Sequence, residues 1–193
     1  MASSLAEHLQ TQAPAGCHWT VFDKDLIGKV LEDHHLSKRI AEFLPEDHKS
    51  LLAEAIEKLR GLHPPTATLV QQTAETIWNL AEGGYVILVG RGANIITLRL
   101  ENVFHVRLVG SFDKRVQRVE EVYEMDRFTA QEYVKSQDAA KRNYLNEYFG
   151  ADIDDPLLYH LIINTDDISY EQTAQLVGDA FGRWLNLEPR AET

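Results

Sequence analysis

The chain has 193 residues, 44% of them hydrophobic and 25% charged, and a formal net charge of -11 at pH 7. That size and balance predict one soluble globular domain with a real core, and the acidic excess argues against general nucleic-acid binding, which rests on basic surface. No stretch approaches the ~20 apolar residues of a membrane span, no signal peptide opens the chain, and the single cysteine, Cys17, excludes an internal disulfide or a Cys-rich metal site. A cytoplasmic protein without nucleic-acid or membrane partners is expected.

Residues 3–10 read as the tail of a helix, and the short apolar run 19–22 as a strand. Residues 23–34 carry Leu26, Ile27, Val30 and Leu31 on one helical face. Pro45 opens a further helix that presents Leu51, Leu52, Ala55, Ile56 and Leu59 and stops at Gly61. Pro64-Pro65-Thr66 separates it from a helix over 67–81, which Gly83-Gly84 ends. The apolar run 85–89 reads as a strand buried on both faces, as in a parallel sheet; it stops at Gly90-Arg91-Gly92, and a helix-like stretch follows. A second run, 103–109, precedes helices over 111–123 and 129–149. A third, 159–164, precedes a helix over 169–185, for which Ser169 and Gln172 form a capping box. Strands alternating with helices imply a parallel sheet with helices on both faces. Residues 1–187 are expected to form one domain and 188–193 a polar tail.

Ligands of open α/β sheets bind beyond the carboxyl ends of the strands, so Arg91 stands where a guanidinium can hold an anion; the plain alternative is a solvated arginine in a strand-to-helix turn. Between Arg91 and Arg142 there are ten Lys/Arg against eight Asp/Glu, while the rest of the chain has nine against 22. The middle of the chain is therefore the expected place for a phosphate-bearing ligand. There Arg115 and Arg118 share a helix face after the N-cap candidate Ser111, with either an anion or carboxylates such as Asp113 and Glu121 between them. Asp138 and Arg142 are spaced i, i+4, which predicts an ion pair; with Lys141 they also suit a lid that neutralises a transferring phosphoryl group. Asp23 serves either as a helix N-cap or as an acceptor for a ligand's hydroxyl or amine groups. His34, His35 and His63 make a poor metal set, because adjacent histidines on a helix face different ways, and no metal site is expected.

Four stretches together resemble the cytidylate kinase-like family of P-loop nucleoside monophosphate kinase relatives. They are Val21-Phe-Asp23-Lys-Asp-Leu-Ile27, Val89-Gly-Arg91-Gly92, Ser111 with Arg115 and Arg118, and Asp138 with Arg142-Asn143; the run 161–168 followed by Ser169-Tyr-Glu-Gln172 resembles the family's closing strand and helix. The resemblance implies a three-layer P-loop-kinase-like α/β sandwich with a parallel sheet, an acceptor-binding region about 45–81 and a lid about 129–149. It implies transfer of the γ-phosphoryl of ATP, with Mg2+, to a small phosphorylated acceptor, CMP by resemblance. Asp23 would orient the acceptor, Arg91 would hold its phosphate, Arg115, Arg118 and Arg142 would neutralise charge on the transferring group, and Asp138 and Lys141 would serve the lid.

The sequence departs from the family in two ways. It has no G-x-x-x-x-G-K-[ST], so the amino-terminal strand and the phosphate cradle are expected to be absent, by truncation, a misplaced start or genuine loss, and ATP affinity is expected to fall severely. Val89 and Gly92 stand where bacterial cytidylate kinases have aspartates, and Ala139-Ala140 replace charged lid residues. A non-catalytic module that senses a nucleotide or binds a protein is the alternative. An unpaired sheet edge would either draw two copies into a homodimer or be covered by the N-terminal segment.

Overall fold

The computed structural model describes residues 1–23, 33 and 66–185. The described chain runs α1 (Ala2–Gln10), β1 (Thr20–Phe22), α2 (Thr66–Gly83), β2 (Val86–Leu88), α3 (Ala93–Ile96), β3 (Val106–Val109), α4 (Phe112–Tyr123), α5 (Arg127–Phe149), a 3-10 turn (Pro156–Leu158), β4 (Leu161–Asn164) and α6 (Tyr170–Leu185). Apart from Asp23 and Asp33, the helices expected over 23–34 and 45–61 lie outside the described residues, as do His34, His35 and His63.

Among the described residues the strand pairing is parallel, as the apolar runs predict. β1 pairs with β2 in the register Thr20↔Val86, Val21↔Ile87 and Phe22↔Leu88. β3 pairs with β4 from Val106↔Leu161 to Val109↔Asn164. Among the described residues these pairs form two parallel two-stranded ribbons. They share one core. Leu5 and Leu9 of α1, Ala174 and Val177 of α6 and Ile163 of β4 are buried together, and Ile87 from one ribbon and Val106 and Leu161 from the other pack against them. Full burial of each such leucine, isoleucine or valine side chain contributes roughly 1.5–3 kcal/mol.

Successive strand side chains point to opposite faces. While Ile87 faces α1 and α6, Leu88 and Phe22 pack with Ile77 of α2 and Ala93 of α3. The β1–β2 ribbon therefore lies between two helical layers. α4 and α5 have a small core of their own, made by Val116, Ala130 and Val134 with Phe112, Val119 and Met125.

The strands are shorter than their apolar runs for local reasons. Tyr85 has a left-handed φ of 53°, which ends the extended conformation before β2. Ahead of β3, the amide of His105 donates to Nδ1 of His160 at 2.9 Å, and its carbonyl accepts from the amides of His160 and Leu161. His105 is only 5% exposed and its ring stacks on that of His160 at 5.1 Å. Thr97 Oγ1 donates its one proton to the Ala93 carbonyl, so it accepts from His105 Nε2 at 2.9 Å. Burial first, and then the neighbouring His160, push the pKa of His105 down to about 4.

The last helix has both hydrogen bonds of its capping box: Ser169 Oγ accepts from the Gln172 amide at 3.1 Å, and Gln172 Oε1 from the Ser169 amide at 3.0 Å. α5 starts two residues before the expected 129. Its N-cap is Asp126, whose carboxylate accepts from the amides of Phe128 and Thr129. That cap is a common role for Asp, and the Asp-Arg-Phe-Thr spacing carried its signal.

Candidate functional site

The turn after β2 has three consecutive left-handed residues: Gly90 at φ 76°, Arg91 at 55° and Gly92 at 71°. Glycine enters this region freely, whereas a residue with a Cβ does so at a cost of roughly 1–2 kcal/mol. Arg91 is thus held in a strained backbone position by the surrounding fold. Gly92 caps α3, and its carbonyl accepts from the amides of Ile95 and Ile96 at 2.9 Å each. A Cβ on Gly92 would stand 2.7 Å from Phe149 Cε2 and 3.3 Å from Leu145 Cδ2. The Arg91 turn is therefore pressed against the carboxyl end of α5, the helix that the sequence marks as a lid.

Asp23 is beside this turn. It directly follows Phe22, whose carbonyl accepts from the Val89 amide at 2.9 Å. Both residues thus leave adjacent parallel strands at their carboxyl ends, and Asp23 is exposed there. The residues that Asp23 would cap lie outside those described.

The arginines of α4 are engaged within the chain. Arg115 lays its guanidinium fork on Asp138, with Nη1 at 2.6 Å from Oδ1 and Nη2 at 2.8 Å from Oδ2, while Nε donates to the Gly110 carbonyl at 3.1 Å. Arg118 donates to Thr165 Oγ1 at 3.1 Å and to the Thr165 carbonyl, and its guanidinium carbon lies 5.5 Å from the centre of the Tyr170 ring. The two share a helix face as their spacing predicts, but each braces a different neighbour. Ser111 holds the N-cap position of α4 without a side-chain cap bond. Its amide donates instead to Asp166 Oδ1 at 2.8 Å, which ties the end of β3 to the end of β4.

The expected Asp138–Arg142 ion pair is not formed. Asp138 is taken by Arg115, and Arg142 donates to Asp154 Oδ2 at 3.0 Å. The other oxygen of Asp154 accepts from Arg107 Nη2 at 2.6 Å. Arg107 lies with its guanidinium carbon 5.5 Å from the centre of the Tyr159 ring. The Tyr159 hydroxyl donates to the Ile153 carbonyl at 3.0 Å, and burial is the main cause that raises its pKa. Asn94 lies beside Tyr159, but its buried Nδ2 meets no hydrogen-bond partner at acceptable geometry. Arg107 first, and Arg142 second, hold the Asp154 carboxyl below its ordinary range. Lys141 is exposed on α5.

Sequence reasoning missed Arg107, Asp154 and Tyr159. A signal for Arg107 existed, since it is the one charged residue in the apolar run 103–109. Among the described residues, no group of three or more His, Cys, Asp or Glu is arranged to hold a metal ion. No helix among them is long and apolar enough to cross a membrane.

An uncharacterized protein from Eubacterium ventriosum ATCC 27560, known from a crystal structure, shares this fold with a TM-score of 0.57 and 20% identity, over 82% of this chain and 90% of that one. No curated protein matches the sequence. The model of the cytidylate kinase-like family matches residues 1–167, most of the chain and every site residue described above. That match, over most of the chain and with the parallel α/β fold, establishes that the chain belongs to the cytidylate kinase-like family.

Proposed function

We propose that this chain supplies the acceptor side and the lid of a nucleotide kinase-like phosphotransferase, which moves the γ-phosphoryl of ATP to a small phosphorylated acceptor, CMP by family resemblance. The strained Arg91 turn, packed against the end of α5, carries this reading. Strain kept at an exposed strand end fits a guanidinium that must project toward a ligand. Arg91 would hold the acceptor's phosphate, and Asp23, one strand over, would accept from its hydroxyl or amine groups. Arg142 and Lys141 would approach from α5 and offset the negative charge that develops on the transferring phosphoryl. Asp138 steadies the lid through Arg115, and the internal partners of Arg115 and Arg118 suit bracing better than direct contact with the reacting group.

The described residues do not fit a Mg2+ site or an ATP phosphate cradle. They lack a cluster of metal ligands, and the sequence contains no G-x-x-x-x-G-K-[ST]. The roles proposed for the described residues concern the acceptor and the transferring phosphoryl. Calorimetric titration with CMP and AMP tests the reading. CMP binding that Arg91→Ala weakens by ~10- to 100-fold is expected, the scale of a lost charge-assisted hydrogen bond; failure of both nucleotides to bind would sink it.

A non-catalytic, nucleotide-sensing or protein-binding module is the second reading. The internal pairing of Arg115 and Arg118 favours it. CMP binding without any ADP release from ATP, in a form of the protein supplied with an upstream G-x-x-x-x-G-K-[ST] loop, would select it over the phosphotransferase.

A further inference from the structure

Three aspartates crowd the loop after α5, and their carboxylates have different jobs. Asp152 Oδ1 accepts from the Asp154 amide at 2.9 Å, and Asp155 Oδ1 accepts from the Leu157 amide at 2.9 Å, so both are spent on shaping the loop. Asp154 alone among them takes two guanidiniums, one from β3 and one from α5. A single carboxylate between two arginines that come from different elements has the form of an occupied oxyanion site. Each of its oxygens accepts one charge-assisted hydrogen bond, as two oxygens of a phosphate would.

The exposures of the three side chains set which partner can leave. Arg107 is 20% exposed and backed by the Tyr159 ring, so it is fixed. Asp154 and Arg142 are 53% and 57% exposed, and pairs of that kind hold only weakly in water. A phosphate dianion brings more charge and a third oxygen to the same two guanidiniums.

We infer that Arg107 and Arg142 form a phosphate clamp that Asp154 occupies as a built-in competitor, and that the phosphate of a nucleotide displaces Asp154 when it binds. The identity of the ligand as a nucleotide rests on the function proposed above; the clamp itself does not. Displacement would free the 150–155 loop from α5 and pass Arg142 from Asp154 to the ligand. Asp154 is then a positioning residue that sets how much phosphate is needed to close the lid.

Calorimetric titration of the full chain with inorganic pyrophosphate, which has neither base nor ribose, tests the clamp by itself. Asp154→Asn is expected to bind pyrophosphate roughly fivefold more tightly than the unaltered chain, on the scale of two weak exposed pairs removed. Arg107→Gln is expected to bind it about tenfold more weakly. Arg142→Gln, at an exposed position that leaves the fold intact, should weaken binding in the same direction as Arg107→Gln. Thermal melts of each variant confirm folding. Equal or weaker binding by Asp154→Asn, or no binding by either chain, overturns the clamp. If CMP fails to bind while Asp154→Asn still tightens pyrophosphate, the acceptor reading falls and the clamp stands.

Discussion

The two ribbons present their arginines on different backbones. Around β3 and β4, Arg107, Arg115 and Arg118 are each tied to a carboxylate, carbonyl or hydroxyl of another element, and an aromatic ring backs two of them. After β2, Arg91 is carried on a left-handed backbone between two glycines. The first region joins elements through charge, and the second carries its arginine on a strained backbone turn. The type of residue does not distinguish these roles; the source of its fixation does.

The largest expected effect tests whether the β3–β4 side depends on its buried polar groups. His105 has a folded-state pKa of about 4, below its ordinary 6.5. Its neutral form favours folding, so its contribution is complete above about pH 6.5, declines as pH falls, and is gone below about pH 4. The loss is on the order of 3 kcal/mol. Urea melts at pH 7.5 and pH 4.5 should show it, and His105→Asn should shrink the difference between the two conditions.

The next effect is on the opposite side. Gly92→Ala adds a Cβ at 2.7 Å from Phe149 with φ at 71°, and should destabilise the fold by about 2 kcal/mol in thermal melts. An unchanged melting temperature would mean that the turn is not held against α5. Arg91→Gly sharpens the comparison further. Against Arg91→Ala, which lacks the same side chain, it should be more stable by about 1 kcal/mol and bind CMP equally weakly. Equal stability of the two variants would show that the turn is not strained.

The smallest effect is that of the Arg115–Asp138 fork, whose side chains are 34% and 39% exposed. Asp138→Asn should cost about 1 kcal/mol. A double-mutant cycle with Arg115→Met would assign that loss to the pair.

These contrasts also explain what could be read in advance. The positions of the four strands among the described residues were legible, because predominantly apolar runs such as 85–89 and 159–164 have few other uses in a short chain. Arg91 was legible as a candidate for the same reason, since a charged residue at a strand end stands out. The partners of the other arginines were not. Asp138 is 23 residues from Arg115, and Thr165 is 47 from Arg118, and a helical spacing rule reaches only four. The i, i+4 rule pointed Arg142 to Asp138 and missed Asp154, because an exposed pair within one helix is weak enough for any tertiary carboxylate to outbid it. The pairing order of the strands was not legible, as apolar patterning marks strands without saying which edges meet.

The contact between α1 and α6 has a consequence for how the molecule is made. Leu5 and Leu9 are buried against Ala174 and Val177, and a Cβ on Gly178 would collide with the His8 ring, so the two helices meet closely. At ribosomal rates, the helix that emerges first waits on the order of ten to thirty seconds for the partner that buries it. Through that interval its apolar face is open to chaperones and to neighbouring nascent chains. Substitutions at Leu5 or Leu9 should therefore alter the yield of soluble protein from translation more than they alter the stability of the finished fold.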